Sequence, residues 1–313
     1  MSNYLQSLRT ELRYQLWSKA VVLPIGGLAA SLAFSFAGSI SNVTATSSRL
    51  QTSEAHAAEN GVSLGAAMEQ PNNVLIQGAQ RIVDNPLRFD YEAAYFADRA
   101  FEGSHAIGTG LEMITFLVIP LLFFIYGCGT AVGDVRRRTL KDRIVAQGAA
   151  AYVAGKVVTI ILVSVAAVVL SAMLSLGAAP ILRAVFLQSN SHDFIYSVND
   201  AGAGNPIIQI AFATAVAVGF GWLGLFTGLV VRSMLIPCLA AGALLLLLPF
   251  AGPYDPRNIL TAAAEGVFNY WGGFNPRAPF PVWTELGVLL SVAALVLVAL
   301  VSTGVWSRMS KFV

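Results

Sequence analysis

The sequence predicts an all-α, polytopic membrane protein with six transmembrane helices, an interfacial amphipathic helix at its N-terminus and an extracytoplasmic insertion between helices 1 and 2. Composition, apolar segmentation and charge distribution each point to this class. Of 313 residues, 56% are apolar and only 12% are charged, and the mean hydropathy is +0.67. A soluble chain of this length carries about a quarter of its residues as Asp, Glu, Lys and Arg. Half that charge cannot cover a surface that faces water.

Six apolar stretches approach the roughly 20 residues needed to cross about 30 Å of hydrocarbon. They fall at residues 20–40, 114–132, 157–179, 207–231, 234–250 and 286–305. The organisation expected is an interfacial helix over 1–18, a first span over 19–40, an extracytoplasmic domain over 41–110 and five further spans within 111–313. An inner loop occupies 133–156, and an irregular, Pro-rich outer segment occupies 252–283, with a short helix over 258–268 that dips back toward the bilayer. The fourth and fifth stretches are separated only by Arg232 and Ser233, which must make a tight hairpin.

In the N-terminal segment Leu5, Leu8, Leu12 and Leu16 share one helical face, with Arg9 and Arg13 opposite and Trp17 at the edge. That pattern suits a helix lying in the membrane interface. Small residues at 37–39 also fit a cleavable signal, but the length of the run and the structured segment before it favour a retained span. Arg9, Arg13, Lys19, Arg136, Arg137, Arg138, Lys141, Arg143, Lys156, Arg232, Arg308 and Lys311 fall on one side, opposed only by Glu11, Asp134 and Asp142. Nearly all other acids, from Glu54 to Glu285, fall on the opposite side. The excess of Lys and Arg in inner segments places both termini in the cytoplasm. Abundant Ala and Arg suggest a bacterial chain, hence the inner (cytoplasmic) membrane.

Within the spans, Gly129/Gly133 and Gly224/Gly228 have the spacing that lets helices approach closely, by packing within the chain or by dimerisation. Pro24, Pro120 and Pro237 are expected to bend or end their helices. Phe116, Phe123, Phe124 and Tyr126 either line a substrate path or face lipid. No ionisable residue is expected near the middle of a span, since Glu112 and Glu285 sit at outer ends within reach of water. An ion-driven carrier usually keeps a midplane acid, so this pattern argues against one. Cys128 and Cys238 lie in apolar runs and read as buried thiols. His56, His105 and His192 are scattered without metal-ligand spacing. Gly155-Lys156 is no phosphate loop: Ala150 holds the leading Gly position, and Val157 replaces the Ser or Thr that would bind magnesium.

The inner loop is the most informative segment. Leu140 and Ile144 form an apolar stripe flanked by basic residues. On composition alone this is an anchor for anionic lipid. The same segment resembles the first inner loop of the ABC type-2 exporter permeases. Asp134 matches the family's acid, Arg136 and Arg137 its basic residues, Thr139-Leu140 its Thr and neighbour, and Gly155-Lys156 its closing pair. Arg138 stands where Gly is common, and Gln147 near the usual Pro. The resemblance extends over nearly the whole chain, through the interfacial helix, the six spans and the tight turn between the fourth and fifth.

It implies a coupling helix seated in a separate ABC ATPase subunit, with Asp134, Arg136, Arg137, Thr139, Leu140, Arg143 and Ile144 as coupling residues. Asp134 and Thr139 would cap that helix, and the arginines would pair with acids of the motor. It further implies no catalytic residue, metal or cofactor in this chain, with ATP and Mg on the partner subunit. The assembly would be a homodimer or a pair with a paralogous permease, in a lipid bilayer and without nucleic acid. The cargo implied is an amphipathic drug, peptide or lipid-like molecule, exported from the cytoplasm. The alternatives are a carrier driven by an ion gradient and a non-transporting membrane sensor or scaffold.

Overall fold

A computed structural model describes residues 3–77, 80–187, 193–199, 204–274, 276 and 278–282. The sixth apolar stretch and the C-terminal basic residues lie outside the described residues. The described chain is mostly helical. Its helices are α1 (Asn3–Trp17), α2 (Val22–Glu59), α3 (Leu64–Glu69), α4 (Pro86–Arg99), α5 (His105–Arg136), α6 (Leu140–Gln147), α7 (Ala149–Phe186), α8 (Pro206–Val231), α9 (Leu235–Gly242) and α10 (Pro256–Ala264). Between α3 and α4 a small antiparallel hairpin pairs β1 (Val74–Gln77) with β2 (Gln80–Val83), in the register Val74 to Val83. It is a departure from the all-α expectation.

Four helices, α2, α5, α7 and α8, are long and apolar enough to cross a bilayer. The fifth stretch is not. It is divided into α9 and a single π-helical turn, Ala243–Leu247. At 1.5 Å per residue this unit reaches only about 20 Å, and it stops at Leu248-Pro249. There Arg257 donates to the carbonyls of both residues while its guanidinium stacks over Phe250. The connection before α9 is tight, three residues over 232–234, because Arg232 takes a left-handed conformation (φ 55°) that ends α8.

Two boundaries move outward. The first span was expected to end near residue 40, yet α2 continues unbroken to Glu59. Its Ser/Thr-rich stretch does not break the helix, because the hydroxyls of Thr44, Thr46, Ser48 and Thr52 donate to carbonyls one turn back. The insertion over 41–110 therefore starts as an extension of the span. Leu50 of that extension packs with Ala67, Leu87, Tyr91 and Ala94. Likewise α7 passes through Pro180 and ends at Phe186. Pro120 also lies within a continuous α5, and Pro24 and Pro237 fall in the first turns of their helices.

The core is built around α5, whose packing against α8 is the most extensive in the structure. Glycines make it possible. A Cβ on Gly127 would overlap the Gly221 carbonyl, one on Gly224 would overlap that of Phe124, and one on Gly228 would lie 3.0 Å from the Cys128 oxygen. Of the two GxxxG spacings in the sequence, the one in α8 lies in this seam and the one in α5 does not. Gly129 faces Met234 at 3.8 Å and Gly133 faces the Tyr14 hydroxyl at 3.5 Å, both ordinary contacts, whereas Gly127 meets α8.

Steric insertion into this seam has nowhere to go. Gly224→Val should destabilise the protein by about 2 kcal/mol or more, and Gly129→Ala should stay within about 0.5 kcal/mol. Thermal unfolding of both variants in the same detergent checks the contrast.

Candidate functional site: a buried ionic cluster beneath the inner connecting helix

α5 and α7 are joined through α6 with very little slack. Residues 137–139 lead into it and Gly148 alone leads out. Arg138 (φ 59°) and Gly148 (φ 79°) both take left-handed backbone, and only the glycine does so without cost. An isolated helix of eight residues is not stable in water, so α6 depends on its seat. Ile144 is buried with Tyr152, and Leu140, Ala149 and Val153 pack against them. The opposite face is open: Lys141, Asp142 and Ala146 are exposed, and Val145 is 72% exposed.

Beneath α6 lies a cluster of charges drawn from four helices. Glu11 of α1, Asp134 of α5 and Lys156 of α7 are 2%, 1% and 1% exposed, and Arg143 of α6 closes the group. Lys156 Nζ lies 3.1 Å from Glu11 Oε1 and 2.9 Å from Asp134 Oδ2. Arg143 reaches Glu11 at 2.9 Å and Asp134 at 2.8 Å. Two carboxylates thus face two cations, and the charges balance. Further hydrogen bonds reach the charged groups. Tyr152 Oη donates to Asp134 at 2.6 Å, Lys156 to the Thr130 carbonyl at 2.8 Å, and Gln15 to Glu11 at 2.9 Å.

α1 supplies its polar face to this cluster. Ser7, Glu11 and Gln15, spaced by four, are the buried positions of that helix, while Leu5, Leu16 and Trp17 are exposed. Water would penalise that arrangement, and a bilayer interface favours it. α1 approaches α7 at Gly155, where a Cβ would lie 2.7 Å from Ser7 Oγ. Ser7 Oγ in turn donates to Gln147 at the end of α6, at 2.9 Å. Tyr14 lies under the guanidinium groups of both Arg137 and Arg143, at 4.9 and 5.3 Å from its centroid. Burial pushes the Tyr14 hydroxyl above its ordinary pKa. Burial alone would lower the Arg143 pKa, but the carboxylates of Glu11 and Asp134 outweigh it and raise the value.

Several expectations change here. Asp134 is the centre of the cluster and does not cap α6. Thr139 occupies the N-cap position without a side-chain cap bond, its hydroxyl 3.5 Å from Asp134. Arg143, expected among the coupling residues, is turned inward to Glu11 and Asp134. Arg136 and Arg137 remain exposed, with Leu140 half-buried and Ile144 buried. Phe123, Phe124 and Tyr126 are buried in the bundle, facing neither lipid nor an open path. Phe116 packs with Phe268, Tyr270 and Phe274 of the outer segment. Glu112, expected to meet water at an outer end, is 2% exposed. Sequence reasoning missed Glu11, Gln15 and Tyr152, and counted Lys156 as a loop charge. The signal available was Glu11 itself, a single acid in a basic segment, with polar residues one turn to either side.

No family model matches the chain, and no curated protein or solved structure is significantly similar to it.

Removing one member of a buried ion pair leaves its partner uncompensated, which costs about 3–5 kcal/mol. Lys156→Met should fall in that range, and adding Glu11→Gln should recover more than about 1 kcal/mol of it. Denaturant unfolding of the single and double variants measures both numbers, with the exposed Lys141→Met expected to change little.

Proposed function

We propose that this chain is the membrane-spanning permease subunit of an ATP-driven ABC exporter, moving an amphipathic drug, peptide or lipid-like molecule out of the cytoplasm with a separate ATPase subunit. In this reading the sixth stretch completes a six-span unit in a bacterial inner membrane with both termini inside. Two such units, identical or paralogous, enclose the path. ATP and Mg belong to the partner.

The observation that carries the proposal is the seating of α6. A motor can drive membrane helices only through a part that is firmly fixed to them and open to the motor. α6 has both properties: the ionic cluster fixes it to α1, α5 and α7, and Lys141, Val145 and the neighbouring Arg136–Arg138 face outward. The docking surface is therefore this exposed set and not Arg143. The contrary reading, a carrier driven by an ion gradient, draws on the burial of Glu112 inside α5.

The test is co-expression of the full chain with a candidate ATPase subunit, purification of the complex and reconstitution in liposomes. ATP-dependent movement of an amphipathic dye is expected. Arg136→Glu/Lys141→Glu/Val145→Glu should lose the ATPase by at least about tenfold in affinity while retaining helix content. A stable ATPase-free chain with sodium- or proton-driven flux would overturn the proposal, as would undiminished ATPase binding by the triple variant.

A further inference from the structure

A second polar site lies at the opposite end of α5. His105, Gly108, Thr109 and Glu112 fall on one face of that helix and line a small pocket with Gln209 of α8 and Asn269 and Trp271 of the outer segment. Glu112 and Gln209 are each 2% exposed. The backbone at Gly272 packs closely against the Glu112 carboxylate, and no lysine or arginine among the described residues acts on it. A carboxylate removed from water without a counter-charge is costly.

The opposing amide is also incomplete. Gln209 Nε2 donates to the Val267 carbonyl at 3.2 Å, which fixes the orientation of the amide. Its Oε1 is buried and has no hydrogen-bond partner. Two glycines let the backbone approach these groups closely. A Cβ on Gly108 would crowd the Gln209 amide at 2.9–3.3 Å, and one on Gly272 would overlap the Glu112 carboxylate. Asn269 also lines the pocket, and its Oδ1, which accepts from the Gly204 N–H, keeps a second lone pair.

The pocket thus offers hard oxygen acceptors, one carboxyl group that supplies a single negative charge when ionised, and room for about one water-sized particle. Oxygen ligands suit alkali and alkaline-earth ions. A divalent ion would leave a positive charge uncompensated, and an organic ammonium would exceed the space. We propose that the pocket binds a single sodium-sized monovalent cation between the Glu112 carboxylate and the Gln209 carbonyl oxygen, pinning the outer segment at residues 269–274 to α5 and α8. The inference stands apart from the coupling role of α6, since a resident cation is compatible with either energy source.

The experiment uses the full chain in lipid nanodiscs, with radioactive sodium binding and thermal unfolding followed at constant ionic strength, N-methylglucamine replacing sodium. Saturable binding of one sodium per chain is expected, together with a sodium-dependent rise in Tm. Glu112→Gln should abolish both, and Gln209→Met should weaken binding by about tenfold. The exposed Glu265→Gln should bind as the parent does. Should Glu112→Gln fail to fold, Gln209→Met carries the comparison. Absence of saturable sodium binding would overturn the proposal, as would binding that neither variant changes. So would a stability shift that follows pH through Glu112 with no dependence on sodium, because the carboxyl would then hold only a proton.

Discussion

The buried meeting of Glu11, Asp134, Arg143 and Lys156 is the constraint on which the inner half of the structure depends. Each residue comes from a different helix, and the set of ion pairs is complete only when all four helices are in place. Charges taken out of water are tolerated when they are paired and their remaining hydrogen-bond positions are filled. Tyr152, Gln15 and the Thr130 carbonyl supply further hydrogen bonds here. A cluster of this kind contributes little net stability over an apolar core, but it strongly penalises every arrangement that leaves one charge alone. It therefore sets the position of α6 relative to the spans.

The same logic explains α1. A helix with a leucine stripe is expected to bury that stripe, and in a soluble protein it would. Here Ser7, Glu11 and Gln15 turn inward because the protein offers charge partners and the surroundings offer apolar contact to the leucines. The bundle follows a complementary rule at its centre, where α5 and α8 need no polar contact because glycines bring their backbones together. Polar matching at the inner end and close backbone contact at the centre make α5 the common element of both. Its outer end is polar again at Glu112, so α5 carries two buried acids, one balanced by lysine and arginine and one paired with neither among the described residues.

Much of the architecture was legible in the sequence. Four of the six apolar stretches are helices long enough to span, and α6 and α10 lie where short helices were expected. What was not legible depended on partners distant in sequence. Whether Arg143 faces outward or inward is decided by Glu11, 132 positions earlier, and no local pattern reports that separation. The continuation of α2 past residue 40 was hidden because Ser and Thr usually signal a helix end, whereas here their hydroxyls return to the helix's own carbonyls. The fifth stretch has the composition of a span, but its path ends in a π turn at Leu247 and the carbonyls that follow are taken up by Arg257. In the seam of α5, three glycines at 127, 129 and 133 look alike in sequence, and only the rotation of the helix selects Gly127 to meet α8.

The central claim is that α6 moves as one body with the spans it joins. Amide hydrogen exchange over residues 140–147 of the full chain in nanodiscs tests it most directly. If the ionic cluster holds α6, those amides exchange slowly, together with the inner ends of α5 and α7, and in Asp134→Asn they lose protection in step with α1. Fast exchange in α6 while its neighbours stay protected, or protection that Asp134→Asn leaves unchanged, would contradict the account.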